Sequence, residues 1–308
     1  MQAASRAVGA SADSDAADAP GRPQEGTSQG PSLSPSRAGD FRSCPMRFRL
    51  RVVDRLPERP SPDAARGTLV HSILERLFDL SAAERTLAAA AGMVEQEYRR
   101  LLDSDPDFAD LVSEADGAGS GWSSQWLASV PPLLEGYFEL EDPRRIEPAQ
   151  REQLVQVELE TGLTLRGFVD RLDVAPTGEV RVVDYKTGRS PSDRYTGQAM
   201  FQLRFYALVL WRSTGVVPRQ LRLMYLRDRD MLTYSPTEDE LERFERTIRS
   251  LWAAIERALA TGDFRPQKGP LCGYCDFKPL CPAWDGTPPP YPGADAPSPE
   301  PRASEEPS

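Results

Sequence analysis

The 308-residue chain has three lysines, one histidine and four cysteines, and each scarcity narrows what it can do. Arginine supplies nearly all the positive charge, so Lys186, Lys268 and Lys278 stand out. An ammonium is a compact point charge whose pKa shifts readily, whereas a guanidinium is a permanently charged planar fork. No apolar stretch approaches the roughly 20 residues of a membrane span. The first segment has alanine but no run of Leu, Val or Phe, so it does not read as a signal peptide, and a cytoplasmic protein is expected. No Gly-x4-Gly-Lys-[Ser/Thr] phosphate loop is present, so any helicase motor must be a separate subunit. Large apolar groups are also missing from the ends. Residues 1 to 33 are mostly Ala, Ser, Gly, Asp and Pro, and residues 285 to 308 are Pro, Glu, Ser and Ala. Neither can offset chain entropy, and both are expected to be disordered tails around an ordered body at 34–284.

The formal net charge is −10, which weighs against a nucleic-acid partner, since phosphate is neutralised by Lys and Arg. Part of that charge lies in the tails, but the body remains acidic. Any nucleic-acid contact must therefore use local clusters, such as Arg42, Arg47, Arg49 and Arg51, or Arg219, Arg222, Arg227 and Arg229. The first spacing is equally that of a solvated strand edge.

Along the body, Ser34-Pro35 is a helix start with an N-cap and a proline at the first helical position, and the short helix delivers Cys44. Ser61-Pro62-Asp63 starts another, whose Val70, Ile73, Leu74, Leu77 and Phe78 form an apolar stripe bordered by His71. Taken alone, such a histidine is more often a hydrogen-bonded core residue than a ligand. Ser81 to Glu84 has capping-box spacing, predicting a helix to about Leu102. Trp122 to Leu140 is again helical, with Pro131-Pro132 forcing a break or kink. Residues 81–140 read as a helical insertion without legible chemistry.

After Pro148 the period changes to two. Leu154 to Glu160 and Leu163 to Val174 are joined by a Thr161-Gly162 hairpin turn, and Pro176-Thr177-Gly178 leads into Val180 to Lys186. Gln198 to Trp211 reads as a helix and Gln220 to Leu226 as a strand. The order is a mixed α/β layer of helix, three-strand meander, helix and strand.

The third strand ends Val182-Val183-Asp184-Tyr185-Lys186-Thr187-Gly188, where Asp184 and Lys186 share a face. A carboxylate and an ammonium at the end of a buried strand cost desolvation, which a divalent metal and a phosphate would relieve; a surface salt bridge is the plain alternative. Gly167-Phe168-Val169-Asp170 puts a second acid on the adjacent strand. Asp173 and Glu158, also near, read better as solvated strand charges.

With these motifs in order, the chain resembles the RecB-like branch of the PD-(D/E)XK nuclease superfamily. The histidine of Gly67-Thr68-Leu69-Val70-His71, then Asp170, the Asp184-x-Lys186 pair and the Gln202-x-x-x-Tyr206 helix follow the family's sequence of motifs. The resemblance implies Mg²⁺ or Mn²⁺ held by His71, Asp170 and Asp184, with Asp170, Asp184 and Lys186 catalytic and Gln202 and Tyr206 touching substrate. It further implies a DNA exonuclease acting on single strands or ends in repair or recombination, with a helicase as a separate subunit. The alternative is a non-catalytic DNA-binding or scaffolding module with a structural metal site.

Cys272-x2-Cys275-x5-Cys281 forms a trio in a Pro/Gly-rich segment, with Cys44 far upstream. In a cytosolic protein four thiols point to metal rather than to disulfides, and spacing alone leaves zinc and an iron–sulfur cluster open. One cysteine before the core and three after it resembles the iron–sulfur staple of AddB-type nuclease domains. That resemblance implies a 4Fe–4S cluster tying the two ends of the domain together.

Overall fold

Ser34 accepts a hydrogen bond from the Arg37 N–H at 3.3 Å, and Pro35 opens the helix behind it, so the first helix starts where its signature predicts. The computed structural model describes residues 31–59, 61–106, 108, 126–192 and 196–293. The expected tails over 1–30 and 294–308 lie outside the described residues, as does Trp122.

The described elements are, in order, β1 (Ser32–Leu33), α1 (Pro35–Ser43), α2 (Pro45–Phe48), α3 (Pro62–Leu77), α4 (Leu87–Ser104), α5 (Pro131–Leu140), β2 (Gln150–Glu158), β3 (Thr164–Val174), β4 (Val180–Lys186), α6 (Thr196–Thr214), β5 (Gln220–Tyr225), β6 (Asp230–Tyr234) and α7 (Glu238–Thr261). The composition-based tail boundaries move inward at both ends. Ser32 and Leu33 join the sheet beside β3, because Leu33 buries its side chain there. Tyr291 donates its hydroxyl to the Leu259 carbonyl at 2.5 Å and packs against Phe264, so residues 285 to 291 lead into core contacts.

One expectation in the helical insertion is corrected. The Ser81–Glu84 capping box forms, but it caps only the short turn Ala82–Glu84, and α4 begins later, behind Thr86. The chain bends between them to bury Arg85, whose guanidinium donates to the carbonyls of Leu80, Phe78, Pro143 and Ile146. A buried guanidinium needs that many acceptors, and a continuing helix would carry it away from them. Pro131-Pro132 marks the expected break: the helix at Trp126 and Leu127 ends before it, and the pair opens α5, where absent N–H groups cost nothing.

The six strands run β1-β3-β4-β5-β6, with β2 on the other edge of β3. Helices cover both faces. One core contains Val182 and the buried sides of α6 and α7; the other contains Val183, Tyr185 and the buried sides of α3, α4 and α5. Strand β4 is buried on both faces as a result, which explains its unbroken apolar run Val182-Val183.

The ladder between β3 and β4 is short. It pairs Val174 with Val180 through Arg171 with Val183 and then stops. Beyond that point β4 stays with β5 as far as Lys186 opposite Tyr225, and β3 stays with β2 as far as Thr164 opposite Glu158. The sheet therefore forks at Asp170 and Asp184. Further along, β1 takes the edge of β3 that β4 has left, at Thr164 and Leu165. Between them Gly167 lets the Tyr206 ring of α6 approach: a Cβ there would stand 2.8 Å from Tyr206 Cε1.

Buried Arg171 fixes the base of the fork, pairing with Glu141 just past α5, with Asp173, and with the Tyr185 hydroxyl at 2.9 Å. Helix α5 also seats directly on the chain after β5, since a Cβ on Gly136 would lie 1.9 Å from the Leu226 carbonyl oxygen. Backbone cannot yield as a flexible side chain can. Gly136→Ala is expected to destabilise the protein by about 2 kcal/mol through overpacking, read as a fall of several degrees in Tm. An unchanged Tm would mean that α5 is not seated on this carbonyl.

Candidate active site

At the fork, side chains from both faces of the sheet meet. From α3, His71 places Nδ1 3.4 Å from Asp170 Oδ1 and stands edge-on to the Tyr185 ring. The second oxygen of Asp170 accepts the Tyr185 backbone N–H, a donor that the interrupted ladder leaves without a carbonyl across the strands. From α6 on the other face, Gln202 donates to Asp184 Oδ1 at 3.0 Å, with its Nε2 also 3.5 Å from the Tyr206 hydroxyl. Lys186 Nζ lies 2.8 Å from Asp184 Oδ2. That pair is held by charge but misses hydrogen-bond angles, so both buried atoms keep unspent hydrogen-bonding capacity.

One residue of the site escapes the sequence patterns. The pairs Arg151–Arg171 and Gln153–Val169 put Glu152 opposite Asp170 across β2 and β3, and Glu152 takes a left-handed φ of 44°. A glutamate rarely adopts that conformation. Donor atoms of His71, Glu152 and Asp170 all lie within 4.8 Å of one another. Two carboxylates and an imidazole suit a hard or borderline divalent cation, Mn²⁺ somewhat better than Mg²⁺ because of the imidazole.

The other expected residues divide. Asp184 and Lys186 are both buried beside that trio, and Asp184 faces Gln202 and Lys186. Tyr206 is only 2% exposed, so its hydroxyl acts on the site through Gln202. Asp173 is taken up by Arg171 and Arg181, as a structural strand charge would be.

The two aspartates are driven in opposite directions. Burial pushes Asp170 up, but His71, Lys186 and the Tyr185 N–H outweigh it and hold the carboxyl below its ordinary value. Asp184 is pushed up to about 6, by burial first and then by the charge of Asp170, against the pull of Lys186. One acid is thus kept ionised and the other is set to take up a proton near neutrality.

The sequence profile of the PD-(D/E)XK nuclease superfamily matches residues 32–282, from β1 through the last cysteine. The chain belongs to that superfamily. It is 26% identical to the Gene 69 protein of Mycobacterium phage L5 over 290 residues, covering 82% of this chain and 97% of that protein. It is 25% identical to the Gene 69 protein of Mycobacterium phage D29, with the same coverage. A solved structure named "Putative exonuclease", from Eubacterium rectale, is 14% identical and superposes with a TM-score of 0.49 over 79% of this chain and 86% of that one. The mixed α/β architecture is that of PD-(D/E)XK nucleases.

Away from the fork, Cys44, Cys272, Cys275 and Cys281 line one cavity of about 380 Å³, all as free, half-buried thiols. Two of the sulfurs accept backbone N–H groups, Cys44 from Gln267 at 3.3 Å and Cys272 from Gly269 at 3.4 Å. Burial raises the Cys275 thiol above its ordinary value. Among the described residues, no three thiols gather within 4.8 Å of one another.

The Asp184 shift has a stability consequence. An acid whose folded pKa is raised favours the fold below its unfolded value, and that contribution is lost as pH climbs to about 6. Asp184→Asn, which mimics the protonated form, should therefore be more stable than the metal-free wild type at neutral pH, by about 2 kcal/mol. The difference should close as the pH falls toward about 4. Thermal unfolding across pH in chelator checks it, and equal stability at neutral pH would mean that Asp184 bears no charge strain.

Proposed function

We infer that this PD-(D/E)XK protein is a metal-dependent nuclease that cuts DNA, as an exonuclease on single strands or ends, in repair or recombination. The observation that carries the reading is the convergence of His71, Glu152 and Asp170 on one potential metal position, with Asp184 and Lys186 beside them. Mg²⁺ or Mn²⁺ would be held by His71, Asp170 and Glu152, with Asp184 as a further ligand. The ion supplies Lewis-acid activation of water and charge stabilisation at the scissile phosphate.

The chain's own groups do the rest. Lys186 would lend its ammonium to the negative charge that grows on the phosphate, and its unspent N–H capacity suits that role. Asp184, which the metal-free surroundings push up to about 6, would have its charge strain relieved by a cation brought to its free oxygen. Gln202, steadied by Tyr206, fixes the Asp184 carboxylate and reaches the substrate side from the half-buried end of α6. A non-catalytic scaffold would not require every member of this set, and every member is present. Unwinding, if the substrate needs it, comes from a separate helicase subunit.

The cysteines fit a 4Fe–4S staple better than a zinc ion. Four thiolates about 2.3 Å from a single zinc crowd one another, whereas those of a cluster each bind a different iron and stand apart. The thiols share a cavity without crowding, and backbone N–H groups already point at two sulfurs, as they do in ligated thiolates.

Anaerobically purified protein is expected to degrade end-labelled single-stranded DNA with Mg²⁺ or Mn²⁺. Lys186→Ala should abolish turnover while calorimetry shows metal affinity retained; Glu152→Gln should weaken metal binding about tenfold. Wild-type turnover in Lys186→Ala would sink the reading. The same preparation should be brown, absorb near roughly 400 nm and hold about four irons per chain, and Cys44→Ala should bleach it. A colourless protein with one zinc would reject the cluster and leave the nuclease reading intact.

A further inference from the structure

Four of the eight arginines in the clusters offered by the sequence are spent inside the fold. Arg47 and Arg51 pair with Asp40 and Glu58, Arg49 is buried on Asp54, and Arg229 pairs with Glu139. The rim of the cysteine cavity is different. Among the described residues, it is lined by Arg42, Lys268 and Lys278, with the already paired Arg47 behind them, and by no carboxylate, in a chain with 47 acids. The two lysines outside the fork both lie over one ring, Trp284, at 4.6 and 4.4 Å from its centroid. Beside them Tyr274 is 89% exposed and Leu271 53%. The acid adjacent to the trio, Asp276, is already bound by Arg59 at 2.7 Å.

We propose that this rim, formed by Lys268, Lys278 and Arg42, with Tyr274 exposed on the adjoining turn between Cys272 and Cys275, is a docking surface for single-stranded nucleic acid on its way to the fork. The proposal rests on the nuclease reading for the identity of the substrate. Cations without neighbouring carboxylates attract a phosphate backbone, and in an acidic protein such a concentration is a local exception. A flat, exposed tyrosine offers a stacking face that only an unpaired base can use, which selects a single strand over a duplex. The Trp284 ring holds the two ammonium groups in place, so little rotamer freedom remains to be lost when phosphate binds.

The geometry also joins the rim to the active site. Helix α1 starts at Pro35, which lies against Gly167 at the fork, and ends at Ser43 on the cavity. At about 1.5 Å per residue, its nine residues span roughly 13 Å. Arg42 stacks on Phe201, the neighbour of Gln202, at 4.1 Å. A strand bound at the rim thus needs only a few nucleotides to reach Asp184 and Lys186.

The test uses the full, anaerobically purified chain in chelator, so that nothing is cut, and a fluorescein-labelled oligothymidylate read by anisotropy at several salt concentrations. Lys268→Ala with Lys278→Ala should weaken binding about tenfold and lower the salt slope by about 1.4, the share of two phosphate contacts on a single strand. Tyr274→Ala should weaken binding about tenfold with the salt slope unchanged. Replacing both lysines by arginine should restore affinity, which a folding defect would not allow. Iron content and hydrolysis of a nitrophenyl thymidine phosphate, too small to span the rim, should match wild type in every variant.

Unchanged oligonucleotide affinity in the lysine variant would overturn the proposal and turn attention to a protein partner for this face. Loss of iron with affinity retained would also overturn it, since the cations would then serve the cysteine site. Failure of the wild type to hydrolyse the small ester with added Mn²⁺, while binding still depends on the lysines, would count against the nuclease reading and not against this surface.

Discussion

The site depends on one substitution in the hydrogen-bond ladder: the carboxylate of Asp170 takes the Tyr185 N–H that a paired strand would have taken. A continuous sheet would keep α3 and α6 apart, with His71 on one face and Gln202 on the other. Where β3 and β4 part, both reach the same pair of acids. The opening costs ladder hydrogen bonds, and buried backbone donors must find other partners. Asp170 supplies one. Below the fork, Arg171 clamps β3 to Tyr185 and to Glu141, so the strands separate at a fixed place instead of fraying.

Charge is distributed with the same economy. Many arginines among the described residues meet acids within the fold: Arg171, Arg212 and Arg249 each hold a buried or half-buried carboxylate. Such pairs are weak sources of net stability, but removing one partner would strand the other in a poor solvent. The lysines are used otherwise. Lys186 is packed against the acid of the fork, and Lys268 and Lys278 stand in the open over Trp284. An ammonium can be re-aimed and can give up its partner more readily than a bidentate fork, which suits both positions.

Strands β3 and β4, α3 and α6 were legible because each combines a clear period with turn or cap residues at its ends, and β4 runs over the predicted residues, Val180–Lys186. Asp170, Asp184, Lys186, His71, Gln202 and Tyr206 were placed by motif, and the fold brings all six to the fork. What the sequence hid are consequences of tertiary packing. Glu152 is one polar residue in the run Gln150-Arg151-Glu152-Gln153, and nothing in that run announces a left-handed φ or an aspartate opposite. Tyr206 lies on the same helical face as Gln202, as its i+4 spacing says, but spacing carries no information on burial. Arg85 ends a capping-box turn because of carbonyls contributed by residues some 60 positions away. The strand and helix after Leu226 went unread, although Thr237 and Glu240 form a capping box at the start of α7.

Two buried carboxylates facing one lysine cannot share a single protonation state cheaply, and the fold resolves the conflict by giving them unequal surroundings. Asp170 has a backbone N–H and His71 in contact, so its charge is answered from two directions. Asp184 has an amide from Gln202 and the Lys186 ammonium beside it, but burial and the neighbouring charge of Asp170 outweigh them and its pKa rises. Separated pKa values of this kind divide labour between chemically identical groups. The better-satisfied acid is held below the ordinary carboxylate value and suits a ligand that stays ionised. The strained acid gains from anything that neutralises it, whether a proton from water or a cation brought to its free oxygen. The strain that lowers the stability of the metal-free protein is therefore the same strain that a bound cation would relieve.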